Sequence, residues 1–456
     1  MKRNILYNIV LALFVVMFSA SMRGQSLSSG YFLDGFYSQH EMNPALVPES
    51  SYFSLPVIGG IGLNANSNAG ISDFIYNSTS YPGKLTTFMS SDVDRVQFLS
   101  NLKNVTELQA GLSMNIFSVG FKSFGGYNFI GLNLKNSENV RLPKELFEFM
   151  KSGLTQGIYG IDNTRIISNS YADLEFGHSR SIDERLKIGV KLHLLAGMAY
   201  ADLNAKHIEA VTMADKWQVR MAAEVLAGGD ISYSQKEDGA VDLNSVKYKF
   251  SGISGFGLAA DIGVAYDISD IVSGLSFSAS VTDLGFISWN KGKSLSTDPT
   301  KYVVFDGFHN VTTNQDIDDQ IEKIGDDFKA MTNLYENAPG AFPGNPVATA
   351  RFGIQYKFPF ADWIGAGELL TYRIGWKTFE SRTSVNIAPA KWFDASVNVA
   401  FSTFGTNLGW VVNFHPKGFN FFIGSDGIRA TLNNSIPVSE TSANIVLGMK
   451  FPVHQD

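Results

Sequence analysis

From Leu186 to Met198 the chain alternates without a break. Leu186, Ile188, Val190, Leu192, Leu194, Ala196 and Met198 share one face, and Lys187, Gly189, Lys191, His193, Leu195 and Gly197 share the other. A period of two is the mark of a β-strand, because successive side chains leave a pleated backbone on opposite sides. Strands of soluble sandwiches average about five or six residues, whereas a tilted strand crossing a bilayer needs about 9–11. The same pattern returns along Leu258–Tyr266, Phe277–Val281, Phe352–Phe358, Ala395–Phe401 and Leu408–Phe414, with Gly, Ser and Ala frequent on the less apolar face. Small side chains on that face suit the inside of a closed barrel. A soluble sandwich would alternate as well, but its strands would be shorter.

The N-terminus places this pattern in an exported protein. Lys2 and Arg3 precede an apolar run from Ile5 to Phe18, and Ser19, Ala20 and Ser21 follow it. A charged start, a short hydrophobic centre and a small-residue exit describe a signal peptide over residues 1–24, with cleavage after Ser21 or Gly24. The run is too short to span a bilayer as a helix, which needs about 20 residues; the alternative is an uncleaved anchor. There is no Cys, so neither a cysteine-linked lipid nor a disulfide is available. Charged residues make up 17% of the chain, against about 25% in ordinary soluble domains. A net charge of −7 argues against a nucleic-acid partner. No later stretch offers the about 18 consecutive apolar residues of a helical span. The expectation is therefore an all-β transmembrane antiparallel β-barrel in the outer membrane, with outer-membrane lipid as its surroundings.

Candidate strands lie near 51–66, 108–122, 126–136, 168–180, 186–203, 217–227, 256–268 and 274–290. Others lie near 347–358, 368–379, 382–389, 392–404, 406–415, 418–425 and 443–451. These predict about 14 strands, since bacterial single-chain barrels have even numbers, and a barrel over residues 51–456. Trp217, Trp289, Trp376, Trp392 and Trp410 fall in or near strands, as interfacial girdles require. Ala443, Ile445, Leu447, Met449 and Phe451 resemble the C-terminal signal read by the barrel-assembly machinery, although PVHQD follows the Phe.

Between the strands, a helical stripe over 316–336 carries Ile317, Ile321, Ile324, Phe328, Met331 and Leu334. Its acidic start lacks the glycine of a calcium loop, so a solvated helix face is expected. Short helices are also expected over 142–151 and 91–103, in loops or inside the lumen. The seven His residues show no metal-ligand spacing, and no G-x-S-x-G elbow or phosphate loop occurs. Gly255, Gly257 and Ala260 match a dinucleotide fingerprint only superficially, because a strand follows them instead of a helix. No catalytic residue, metal or cofactor is expected, and the protein reads as a non-enzyme.

Residues 24–48, GQSLSSGYFLDGFYSQHEMNPALVP, carry aromatics without a helical period. Asn43, Pro44 and Ala45 are expected to turn, because Pro fixes its own φ and pushes its predecessor away from helix. Residues 25–50 then form an N-terminal plug segment, with Tyr31, Phe32, Phe36 and Tyr37 packing inward at the periplasmic mouth. A mobile linker is the alternative.

The stretches YFLDGFYSQHEMNPALVP, SLPVIGGIGLNANSN, GKLTTFMSSDVDRVQFLSNL, VTDLGFISW and NFFIGSDGI resemble an uncharacterised exported domain-of-unknown-function family of Gram-negative bacteria. That family is similar in turn to the superfamily of the long-chain fatty-acid transporter FadL and the secretion-associated barrel PorV. The resemblance implies a 14-stranded barrel with an internal hatch, in which an Asn-Pro-Ala motif, matched here by Asn43, Pro44 and Ala45, follows an N-terminal plug segment, and it brings no ligand-binding residues to these positions. Two functions compete on this basis: passage of small hydrophobic molecules, or a structural anchor or accessory of a secretion or surface-attachment complex. The first requires a continuous apolar pocket within the wall. The second tolerates a filled lumen and presents a broad loop surface.

Overall fold

The structure, a computed structural model, describes residues 27–453 apart from 57, 153–156, 214–215, 250–251, 307–313, 338–339 and 430–441. The signal peptide expected over 1–24 lies outside the described residues. Fourteen antiparallel strands close into a barrel. The first wall strand, β1, comes in two pieces, Ser51–Phe53 and Ile61–Ser67. Next come β2 (Val105–Ser123), β3 (Gly126–Pro143), β4 (Gly157–Ser181) and β5 (Leu186–Thr212). The middle of the wall is β6 (Gly255–Asp267), β7 (Leu275–Trp289), β8 (Thr349–Lys357), β9 (Ile364–Arg373) and β10 (Thr378–Ala390). It ends with β11 (Phe393–Ser402), β12 (Gly405–Phe414), β13 (Asn420–Arg429) and β14 (Ser442–Val453). Closure is between β14 and β1, with Ser51 opposite Val453 and Ile61 opposite Leu447.

The alternation read along β5 is the wall's inside and outside. Ile188, Val190, Leu192 and Leu194 are exposed on the outer surface, while Lys191, His193 and Leu195 are buried within. Neighbouring strands keep the same parity: Leu258 and Ile262 face out where Ala259 and Asp261 face in, and Phe352 faces out beside inward Arg351. An apolar outer surface is what a bilayer requires of such a wall.

β4 and β5 run to 25 and 27 residues. At about 3.3 Å per residue they reach far beyond an apolar band about 25 Å tall. Their extra length explains one difference from the sequence reading. Residues Trp217–Gly228 do not form a wall strand: they pair with β5 from Tyr200 to Thr212, while β6 pairs with β5 from Leu186 to Gly197. One long strand thus carries two partners in tandem, and Trp217–Gly228 begins an outer sheet continued by Gly292–Thr297, Tyr302–Phe305 and Leu334–Glu336. A second difference concerns the tryptophans. Trp289 is fully buried and stacks on Tyr200 with ring centroids 5.5 Å apart, and Trp376 is buried too. Trp289 shares the inward parity of Ile287, so it belongs to the interior rather than to a girdle, whereas Trp392 stays exposed on the surface.

The connections differ between the two ends. One end is closed by short links at 124–125, 182–185, 358–363, 391–392 and 415–419, and the other carries the long segments 68–104, 213–254 and 290–348. Helices α1 (Arg95–Asn101) and α2 (Lys144–Ser152) lie at the long-loop end, where Phe88, Phe98 and Phe147 build a small apolar core. Asp94 caps α1 by accepting the Gln97 amide at 2.8 Å. In the same layer, hydrogen bonds from the Ser78 and Ser80 hydroxyls and backbone amides hold the Asp92 carboxyl down to about 2. Helix α3 (Asn314–Met331) packs its Met331 on Ala210 of β5 and on Val219 and Val303 of the outer sheet. Among the described residues Met331 of α3 packs on the outer sheet and on the part of β5 that pairs with it, so replacing 314–331 by a short Gly-Ser bridge is expected to leave a heat-modifiable barrel. Loss of the heat-modifiable band on electrophoresis would show that the wall depends on it.

Candidate functional site

Residues 27–47 lie inside the barrel, near the end with the short links. Leu27, Tyr31, Phe32, Leu33, Phe36 and Met42 are buried in one cluster with Leu369, Val411, Phe422 and Val446, which the wall strands β9, β12, β13 and β14 turn inward. Phe36 meets Phe422 edge-on at 4.7 Å. Burying each such side chain is worth about 1.5–3 kcal/mol relative to exposure, so the segment is held along its length rather than by one lock.

Asn43, Pro44 and Ala45 lie against the wall. The Leu46 amide donates to the Asn43 carbonyl at 2.9 Å, and the Ala45 amide donates to Asn43 Oδ1 at 3.0 Å. Asn43 Nδ2 donates to the carbonyls of Val264 and Ala279 and to the Tyr31 hydroxyl, at 3.2, 3.3 and 3.2 Å. Opposite this turn, Gly189 of β5 faces Gly263 of β6 in register. A Cβ at Gly189 would sit 2.1 Å from the Pro44 carbonyl oxygen, and one at Gly263 would sit 2.0 Å from Asn43 Oδ1. The paired glycines form a notch that the Asn-Pro turn fills. Gly367 of β9 does the same for the Phe32 ring, at 2.3 Å. The wall also answers the segment's backbone: Asp426 accepts the Ser28 and Ser29 amides at 2.8 and 2.7 Å, and Asp394 accepts the Gly35 amide at 2.9 Å. A buried amide without such an acceptor would cost about as much as a lost hydrogen bond.

Above this segment the interior is charged. Lys135 Nζ lies 2.8 Å from Asp173 and 3.0 Å from Asp283, and Lys191 Nζ lies 3.2 Å from Glu175. His193 Nδ1 is 2.9 Å from Asp173, and its Nε2 is 3.1 Å from Asp261. On the far side Arg382 pairs with Glu380 at 2.8 Å. A cavity of about 120 Å³ lies in this layer, lined by Lys135, Glu175, Lys191, His193, Arg351 and Arg373 among others. Asp173, Glu175 and His193 bring ligand atoms within 4.8 Å of one another, but Lys135 and Lys191 already neutralise the two carboxylates. The cluster works as an ion-pair network, in which each buried charge needs its partner.

None of the charged layer was named from sequence as a site. The available signal was parity: Lys191 and His193 stand on the inward face of β5, and Arg351 stands on the inward face of β8. The partners they meet come from strands far away in the chain.

A model for a family of unknown function (DUF5723) matches residues 44–426, and the chain belongs to that family. No curated protein matches. Among solved structures, the toluene transporter TbuX of Ralstonia pickettii is similar at 8% identity, with 92% of this chain and 95% of that one covered and a TM-score of 0.42. The toluene transporter TodX of Pseudomonas putida is similar at 8% identity over 95% and 98% of the chains, with a TM-score of 0.41. A Pseudomonas aeruginosa FadL homologue is similar at 9% identity over 95% and 100%, with a TM-score of 0.39.

Proposed function

We propose that this protein is an outer-membrane β-barrel kept closed at rest by its own N-terminal segment, and that it serves as a structural anchor or accessory barrel for a surface or secretion complex. The observation that carries this reading is the filled interior: residues 27–47 occupy one level, and the ion-pair layer above leaves a cavity of about 120 Å³ lined mostly by charged and polar side chains. Passage of small hydrophobic molecules calls for an apolar lining, which that layer does not supply. The long-loop end, with its outer sheet and its Phe88–Phe98–Phe147 core, offers an ordered surface to a partner. Short links belong to the periplasmic side of such barrels, which supports a reading with residues 27–47 at the periplasmic mouth and this surface outside the cell. The alternation of β14 up to Phe451 supports recognition by the barrel-assembly machinery.

One observation favours passage of small hydrophobic molecules as a second reading. Leu369, Val411, Phe422 and Val446 would line an apolar chamber if the N-terminal segment withdrew. The two readings separate in liposomes carrying the purified full-length barrel and a fluorescent dye that brightens in apolar surroundings. The anchor reading expects entry of a small hydrophobic fluorophore no faster than in protein-free liposomes. Saturable, protein-dependent entry would replace it with the second.

A further inference from the structure

Glu368 puts a carboxylate on the outer surface of the wall. Along β9 the neighbouring Leu369 and the next residue of its parity, Thr371, are buried inward, so Glu368 shares the outward face with Ala366 and Leu370. Its depth follows from the aromatics at the two ends of the strand. Exposed Trp363 lies just before β9 at the short-link end, and exposed Tyr372 lies near the other end. From Trp363 to Glu368 a tilted strand advances about 13 Å into the bilayer, half of an apolar band about 25 Å tall.

The surroundings at that depth are apolar. Ile354 of β8 stands opposite Glu368, and Val385, Val397 and Val399 occupy outward positions of β10 and β11 close by. Two hydroxyls are the exception. Thr383 of β10 stands opposite Glu368, and Ser381 is its diagonal neighbour. Thr383 Oγ1 donates to Glu368 Oε2 at 2.6 Å, and Ser381 Oγ donates to Glu368 Oε1 at 2.5 Å. A carboxylate offers about four acceptor positions, so two stay open toward the bilayer. No Lys, Arg or His among the described residues pairs with Glu368. An ionisable side chain at membrane depth is costly, and it normally faces a protein interior or a partner of opposite charge. In the isolated barrel Glu368 has neither.

We propose that Glu368, Ser381 and Thr383 form a lateral docking site for a membrane-embedded segment of another protein, one that presents a Lys or Arg at mid-bilayer depth. Charge complementarity selects this partner: the carboxylate lacks a cation, and its open acceptor positions point where only a membrane-embedded donor can reach them. A second copy docking through the same patch would set carboxylate against carboxylate, because Ile354, Leu370, Val385, Val397 and Val399 around it bring no cation. The site deepens the anchor reading by giving the partner's chemistry, and the partner's role rests on that reading.

The test places the full-length barrel in phosphatidylcholine liposomes with two probe peptides. Both are leucine-rich transmembrane helices of about 20 residues, one with a central Lys and the other with Leu there. Association is read as energy transfer from the barrel's tryptophans to a dansyl group on the peptide. The Lys peptide is expected to associate about threefold or more tightly, the worth of one side-chain hydrogen bond within a membrane. Glu368→Gln should shrink that preference, and Glu368→Leu should abolish it. Heat-modifiable migration reports folding, and the temperature of its transition adds a second readout. Because a lipid-facing charge costs the isolated barrel stability, Glu368→Leu should match or exceed the wild type. A clear drop would make Glu368 a strut between β9 and β10 and overturn the site. Equal association of the two peptides with the wild type would overturn it, as would a Lys preference that survives in Glu368→Leu. Self-association of the wild type in uncharged detergent, seen by sedimentation and removed by Glu368→Leu, would overturn it by making a second copy the occupant. Dye entry reads the lumen and peptide association reads the outer surface, so the two readings fail separately. A barrel that admits the dye yet prefers the Lys peptide sinks the anchor reading, and one that excludes the dye without that preference sinks the docking site.

Discussion

Removal of residues 25–48, with residues 1–24 retained for export, is expected to leave an assembled barrel that has become leaky. Among the described residues no wall strand begins before Ser51, so the ladder between β1 and β14 loses no partner. What disappears is the filling: the apolar cluster of Leu27, Tyr31, Phe32, Leu33 and Phe36, and the turn seated between Gly189 and Gly263. Single-channel recordings should change from a quiet bilayer to discrete steps, and liposome swelling in small sugars should rise above the wild-type baseline. The charged layer above would still narrow the path, so small solutes should gain more than large ones. A silent, unswelling truncated barrel would show that the remaining side chains shut the lumen by themselves, and it would remove residues 25–48 from the role of a plug.

Two adjacent residues of β5 should respond in opposite ways. Val190 is 50% exposed on the outer surface, and Arg at a lipid-facing position near the midplane costs about 2–4 kcal/mol. Val190→Arg is therefore expected to lower the folded yield sharply. Gly189, one residue away, points inward at the Pro44 carbonyl. Gly189→Leu is expected to keep the wall but to push the Asn43-Pro44 turn out of its notch, giving the leak of the truncation in weaker form. Folded yield is read from heat-modifiable migration, and leak from conductance. Equal yields for the two variants would mean that the faces are misassigned, and a tight barrel in Gly189→Leu would mean that the turn does not depend on the notch.

Much of the architecture was legible because the pleat is a local property. Along Leu186–Met198 each residue's face follows from its parity alone, and the exposures of Val190 and Lys191 fall on opposite sides as parity demands. The strand count followed too, since each alternating run had to be one crossing of the wall. The segment Trp217–Gly228 shows where this reasoning fails. Its alternation is as regular as a wall strand's, but whether it borders the membrane depends on which part of β5 it pairs with. Trp289 is a second case: composition suggested a girdle, and only its partners Tyr200 and Phe342 reveal an interior site.

The interior itself was decided by closure. Sequence alone determined strands with one apolar face, because that alternation rests on forces between residues close in the chain. It did not determine that Lys135 would meet Asp283, 148 residues away, or that Asn43 would reach the carbonyls of Val264 and Ala279. Those meetings exist because a closed sheet folds fourteen inward faces around one narrow space, where charges taken out of water must find whichever partners the far wall presents.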